Sequence, residues 1–128
     1  MTGDRGQALV LAVLVLGLAA ATIVGLQAAQ DRILRDAHER RAGEAAVEAA
    51  GAAIADAQIG FTGSLDAFAA DPLVAERARA AADQLAALNG GAAVRDLTIT
   101  ADPREIEVGL SIGNHRQRAA VETTCCRP

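Results

Sequence analysis

The feature that most constrains this chain is an uncharged, strongly apolar run near its start, Ala8–Leu26. Its 19 residues would span about 28 Å as a helix, close to the roughly 30 Å hydrocarbon core of a bilayer. A core helix of a soluble protein would normally carry a polar stripe, and this run has none. The length and composition therefore predict a transmembrane helix, with Gln27–Ala29 extending it.

Two other interpretations of this run stay open. Ala19, Ala20 and Ala21 would suit the cleavage site of a secretory signal, in which case residues 1–21 would be removed. The start of the chain has only Arg5, offset by Asp4, and the apolar run continues beyond Ala21, which favours a retained helix. A buried core helix is the third interpretation.

Small residues recur at every fourth position of the run, which on a helix makes one smooth stripe. Such a stripe would let another helix approach closely in lipid. We call these four residues the small-residue stripe: Gly17, Ala21, Gly25 and Ala29.

The basic residues favour one orientation. Arg32, Arg35, Arg40 and Arg41 follow the run, whereas Arg5 precedes it. By the positive-inside rule the long C-terminal part would lie in the cytoplasm.

The remaining chain predicts an α+β fold. Residues 31–58 should continue the first helix, giving about 50 helical residues with a weak apolar face. A break near Gln30–Asp31 is the alternative that stays open. Gly43 and Gly51 would each weaken the helix by about 1 kcal/mol. That face would comprise Ile33, Leu34, Ala37, Ala45, Ala49, Ala53 and Ile54.

Ile59–Ala70 is predicted to be a loop or a short irregular piece, held to the core by Phe61 and Phe68. A second helix should follow, with Asp71 as its N-cap, Pro72 in its first turn and Asn89-Gly90-Gly91 as its stop. Its buried stripe would comprise Val74, Ala78, Ala81, Leu85 and Leu88, while Glu76, Arg77, Arg79 and Asp83 would stay solvated.

The spacing of the apolar residues then changes to two, which predicts strands over Leu97–Ala101, 105–112 and Arg116–Thr124. Asp102-Pro103-Arg104 should form one turn and Gly113-Asn114 a type II′ hairpin turn. We expect a three-stranded antiparallel meander with one face on the helices. The segments would be 1–7, a short start; 8–29, the transmembrane helix; 30–58, its amphipathic continuation; and 59–128, a small α+β head.

Composition argues against several functions. The chain has 12 Arg, no Lys, a net charge of −4 and 2% aromatic residues, which is a poor basis for binding nucleic acid. His38 and His115 are expected on the surface, and Glu105 and Glu107 on the solvated face of a strand. The sequence has no HExxH, P-loop or GxGxxG pattern. We therefore expect a protein that is not an enzyme, with no cofactor, metal site or small-molecule substrate.

Cys125 and Cys126 are adjacent and lie close to the end of the sequence. Metal sites need further ligands at wider spacing. These thiols either form an intermolecular disulfide or a lipid attachment, or they lie unmodified in a frayed tail.

The start of the chain carries a resemblance to a known family. Asp4-Arg5-Gly6-Gln7 precedes the apolar run, and an Ala-rich helical stretch, Ala42–Ala55, follows it. This order resembles the N-terminal segment of the TadE/TadG-like proteins of the tight-adherence (Flp) pilus-assembly family. The later order, a helix ending in LAALNGG and two alternating strands, also looks like small members of that family.

The resemblance implies a pilin-like protein or pilus-assembly component with a single membrane helix and a head outside the cytoplasm. The pilin-like alternative would place it in a filament at the cell surface. Its partners would be the membrane and other pilin-like subunits. It also implies that a prepilin peptidase cut would fall between Gly6 and Gln7. Leu11 stands where the processed pilins of this system carry Glu, so the start is closer to the uncut TadG type. The alternatives are a secreted small binding domain and a membrane scaffold with a cytoplasmic head.

Overall fold

A computed structural model of the chain describes residues 3–124, and side chains from residue 6 onward. The described elements are α1 (Gly3–Gln58), α2 (Leu65–Ala69), α3 (Pro72–Leu88), β1 (Arg95–Ala101), β2 (Glu105–Ile112) and β3 (His115–Glu122). The predicted fold class is confirmed: a long N-terminal helix precedes a small α+β arrangement. The described residues form two compact units that divide between Asp36 and Ala37. The predicted segment boundaries stay a prediction.

The sheet is the expected antiparallel meander, with strand order β1-β2-β3. Asp102 and Glu105 exchange backbone hydrogen bonds of 2.8 and 3.2 Å around the first turn. In the second turn, Ile112 pairs with His115, and Gly113 has φ +56°. A type II′ turn needs positive φ at that position, which Gly supplies without steric cost.

The core lies between β2 and the helices of the second unit. Ile106, Val108, Leu110 and Ile112 of β2 are at most 1% exposed. The helices meet them with small side chains, which lets helix and sheet backbones approach closely. The helical members of the core are Ala42, Ala46, Val47, Ala50 and Ile54 of α1, Phe68 of α2, and Val74, Ala78, Ala82 and Ala86 of α3.

The apolar face predicted for residues 31–58 was wrong except for Ile54. Ile33 and Leu34 are exposed, and Ala37, Ala45, Ala49 and Ala53 are only half-buried. Because Ala occurs on every side of this helix, the sequence pattern does not select one face.

The two glycines of this part of α1 have a packing role that the sequence did not indicate. A Cβ on Gly43 would lie 3.0 Å from Gln117 Cγ, and one on Gly51 would lie 3.3 Å from Val121 Cγ2. Gln117 and Val121 belong to β3. The glycines therefore allow α1 and β3 to pack at short range, which offsets their low helix propensity.

The caps of α3 are as predicted. Asp71 Oδ1 accepts a 2.8 Å hydrogen bond from the Leu73 N–H, and Pro72 is the first helical residue. At the other end Gly90 has φ +72° and the Gly91 N–H donates to Ala86 O at 2.8 Å.

The buried stripe of α3 differs in part from the prediction. Ala81 and Leu85 are half-buried and Leu88 is 74% exposed, while Ala82 and Ala86 are fully buried. Of the side chains expected in solvent, Arg79 is exposed and Asp83 is half-buried, and both also hold the backbone before β1. Arg79 Nη1 donates to Val94 O at 3.1 Å, and the Val94 N–H donates to Asp83 Oδ1 at 2.8 Å.

The segment 59–70 contains a one-turn helix, α2, in addition to the expected irregular chain. Ser64 caps it, accepting a hydrogen bond of 3.2 Å from the Ala67 N–H. Phe68 is fully buried and Phe61 half-buried, with ring centroids 5.0 Å apart in an edge-to-face arrangement. The expectation that these rings hold the segment to the core is confirmed.

Candidate functional site: the apolar helix and the open face of the sheet

The first candidate site is the exposed surface of α1 between Gly6 and Asp36. Every residue in this range is exposed, and its large apolar side chains are 58–71% exposed. α1 is the one helix among the described residues that is long and apolar enough to cross a membrane, with a mean hydropathy of 2.8 in its most apolar window. No part of that window is buried, which differs from the usual core helix of a soluble protein.

The small-residue stripe lies on this exposed helix. The positions of Gly17, Ala21, Gly25 and Ala29 are four residues apart, and a Cβ on Gly17 or Gly25 would meet no atom within 4 Å. The one side-chain hydrogen bond beside the stripe is local: Thr22 Oγ1 donates to Leu18 O at 2.7 Å. The stripe is thus open to another helix, and its use for association stays a prediction.

The residues of the expected processing site are helical. Gly6 and Gln7 lie at the start of α1, where they line a shallow apolar depression with Val10, Leu11 and Leu14. Cleavage between Gly6 and Gln7 stays a prediction. Cys125 and Cys126 lie outside the described residues.

The second candidate site is a depression of about 270 Å³ on the open face of the sheet. Gly109 forms its floor, because the register aligns Thr98, Gly109 and Arg118 across the three strands and the middle residue has no side chain. A Cβ on Gly109 would lie 2.7 Å from Thr98 Oγ1. Any residue other than glycine at position 109 would therefore require Thr98 to move. The lining residues are Asp96, Thr98, Thr100, Glu107, Gly109, Leu110, Arg116 and Arg118.

Hydrogen bonds and one ion pair organise the rim of this depression. Arg118 and Glu107 pair at 3.1 Å, although both side chains are largely solvated. Ser111 Oγ donates to Asp96 Oδ2 at 2.9 Å, which helps hold Asp96 at its unusual φ of +50°. Exposed pairs of this kind contribute little stability.

Glu107 was expected on the solvated face of a strand, but the depression itself was not predicted. The signal that could have found it is a glycine in the middle strand, flanked on both sides by long or hydroxylated side chains. Recognising it requires the strand register, because the three aligned residues are far apart in sequence.

Apart from Glu107, which lines the depression, the other candidate residues do not converge on a site. His38 is exposed on α1, and His115 is half-buried at the first position of β3. Glu105 is exposed and Glu107 half-buried, both at the open face. The described part of the chain holds no group of three or more His, Cys, Asp or Glu that could bind a metal ion.

Comparisons with protein-family models, with curated proteins and with solved structures found no match to this chain. The function is therefore inferred from the chain's own residues.

Proposed function

We propose that this protein is a non-enzymatic, membrane-anchored, pilin-like subunit or assembly component of a Flp/Tad-type pilus or secretion system. The apolar helix would hold the chain in the bilayer, and the second unit would be presented outside the cytoplasm. Packing of the apolar helix against similar helices would then bring the subunit into the assembly.

The observation that carries the proposal is the full exposure of an uncharged run. Leu11, Leu14, Leu16 and Leu18 are 66–71% exposed in the described chain. Transfer of apolar surface out of water gains roughly 25 cal/mol per Å², so a run of this length favours lipid or a bundle of like helices over water. The second unit has its own core.

The resemblance at the start of the chain is the reason that we propose a Flp/Tad-type system as the assembly. The Arg-Gly-Gln start, the single apolar helix and the Ala-rich continuation have the order found in TadE/TadG-like proteins. The confirmed α+β layout is compatible with that order. The four arginines that follow the apolar run favour the opposite orientation, so the sidedness needs its own experiment.

The intact mass of the natural protein tests the anchor. A mature start at Met1 or Thr2 supports an uncut anchor, and a start at Gln7 supports a processed pilin. A start at Thr22, in protein recovered from the soluble fraction, would contradict both and indicate a secreted binding domain.

Labelling of Cys125 and Cys126 on intact cells tests the sidedness. An impermeant maleimide should label them if the second unit lies outside the cytoplasm. Labelling that requires cell lysis would instead indicate a scaffold with a cytoplasmic head.

Association through the small-residue stripe is tested with Gly17→Ile and Gly25→Ile together. The added side chains would prevent close helix approach, so co-purification with pilus subunits in detergent should be lost while membrane insertion is kept. Leu18→Ile, beside the stripe, is the matched control. Unchanged co-purification of the double variant would show that the stripe is incidental.

A further inference from the structure

We propose that α1 pairs in parallel with a second copy of this chain through a heptad seam that extends beyond the membrane. This inference rests on the proposed membrane anchor and identifies a partner and a surface for it. The seam comprises Leu16, Ala19, Ile23, Leu26, Gln30 and Ile33.

The observation that points to a partner is the exposure of Ile33 and Leu34. These side chains are 68% and 59% exposed, although they lie past the end of the uncharged run, between Asp31-Arg32 and Arg35-Asp36. With Gln30 they border an apolar depression of about 300 Å³ on the helix surface. A membrane anchor alone does not require two adjacent large apolar side chains in this charged stretch.

The spacing assigns these residues to one side of the helix. The six seam residues follow one another at intervals of 3, 4, 3, 4 and 3, the a and d positions of a heptad. At about 100° per residue, Gly17, Ala21 and Gly25 of the small-residue stripe fall on the opposite side of the helix, whereas Ala29 borders the seam. The seam is therefore a separate surface from the first three residues of the stripe.

A second copy fits this seam because of the way the anchor would insert. Two copies anchored in one bilayer point in the same direction at the same depth, so each seam residue faces its own counterpart. Gln30 would face the second copy's Gln30, and a carboxamide carries both donors and an acceptor. A polar side chain at a single a position is a known determinant of register between parallel helices.

The flanking positions are also complementary in this register. Leu34 falls at an e position and would pack on Ala29, at g, of the other copy. This apolar flank favours the same parallel pairing.

Cysteine cross-linking of the full chain tests the seam. The chain would be reconstituted into vesicles of phosphatidylcholine and phosphatidylglycerol, with Cys125→Ser and Cys126→Ser as the background. Ile33→Cys places a thiol in the seam, and the matched control Arg35→Cys places one about 200° around the helix. Both side chains are exposed, so neither change should disturb folding.

After mild oxidation, we expect at least about fivefold more disulfide-linked dimer from Ile33→Cys than from Arg35→Cys. Gln30→Lys, added to the Ile33→Cys chain, should lower that yield about tenfold, because two ammonium groups would meet in the seam. Equal yields from positions 33 and 35, or no dimer from either, would overturn the seam. Alkaline extraction of the same vesicles tests the membrane anchor independently of the seam. Release of the chain from the vesicles would refute the proposed function itself.

Discussion

At the scale of single residues, Gln58 has an unusual position as the last residue of α1. It is only 2% exposed, accepts a 2.7 Å hydrogen bond from the Thr124 N–H and donates one of 3.3 Å to Glu122 O. One side-chain amide thus satisfies two backbone groups at the end of β3, much as a neighbouring strand would. The contact joins residues more than 60 positions apart in sequence.

Replacing this side chain should therefore destabilise the second unit. Gln58→Ala leaves the Thr124 N–H and the Glu122 carbonyl without that partner, and we expect a loss of about 1–3 kcal/mol. Urea unfolding of the full chain in detergent, followed by circular dichroism, measures the change. Gln84→Ala, at an exposed position of α3, should have almost no effect, and equal effects of the two variants would refute the role of Gln58.

Gly91 shows a second residue-scale constraint. A Cβ at this position would overlap with the Ala42 methyl group and lie 3.2 Å from Ala86 O. Gly91→Ala should cost about 1–3 kcal/mol, because neither neighbour can move without disturbing the core. In the same unfolding assay Gly25→Ala, which meets no atom within 4 Å, should cause no loss of stability. A Gly91→Ala chain as stable as the parent would show that α1 and α3 separate easily.

At the scale of elements, α3 illustrates how local chemistry specifies a helix. Asp71→Ala removes the acceptor for the Leu73 N–H and should destabilise the second unit by about 1 kcal/mol. Asp71→Asn, which keeps an acceptor, should retain most of the stability. Thermal unfolding of both variants measures the difference, and similar losses would mean that charge rather than capping matters.

The elements predictable from sequence were those with a local signal. Asp71, Pro72 and Gly90 determine the ends of α3, and period-two alternation identified β1 and β2. α2 was not predicted as a helix because its five residues are too few for a periodic pattern. The buried face of α1 was not predictable because Ala, which fits a core or a surface, lies on every side of the helix.

At the scale of the whole molecule, exposed apolar side chains fall into two classes. Leu16 and Leu73 are 71% and 61% exposed, but only Leu16 lies within a long uncharged run. Leu16→Arg should reduce the membrane-bound fraction, since an arginine at a helix centre costs about 2.5–3.5 kcal/mol of insertion free energy. Leu73→Arg should leave that fraction unchanged. Fractionation of cells followed by alkaline extraction compares them, and equal membrane binding of both variants would argue against insertion of the apolar run.

The sequence by itself determined the apolar run, the helix caps, the turns and the alternation of the strands. These depend on interactions between residues close in sequence, or on composition alone. Only the tertiary structure decided which face of α1 is buried, why Gly43, Gly51 and Gly91 are glycines, and that Gln58 closes the sheet. These depend on the distance between segments that are remote in sequence, and in an Ala-rich chain side-chain polarity carries too little information to specify that packing.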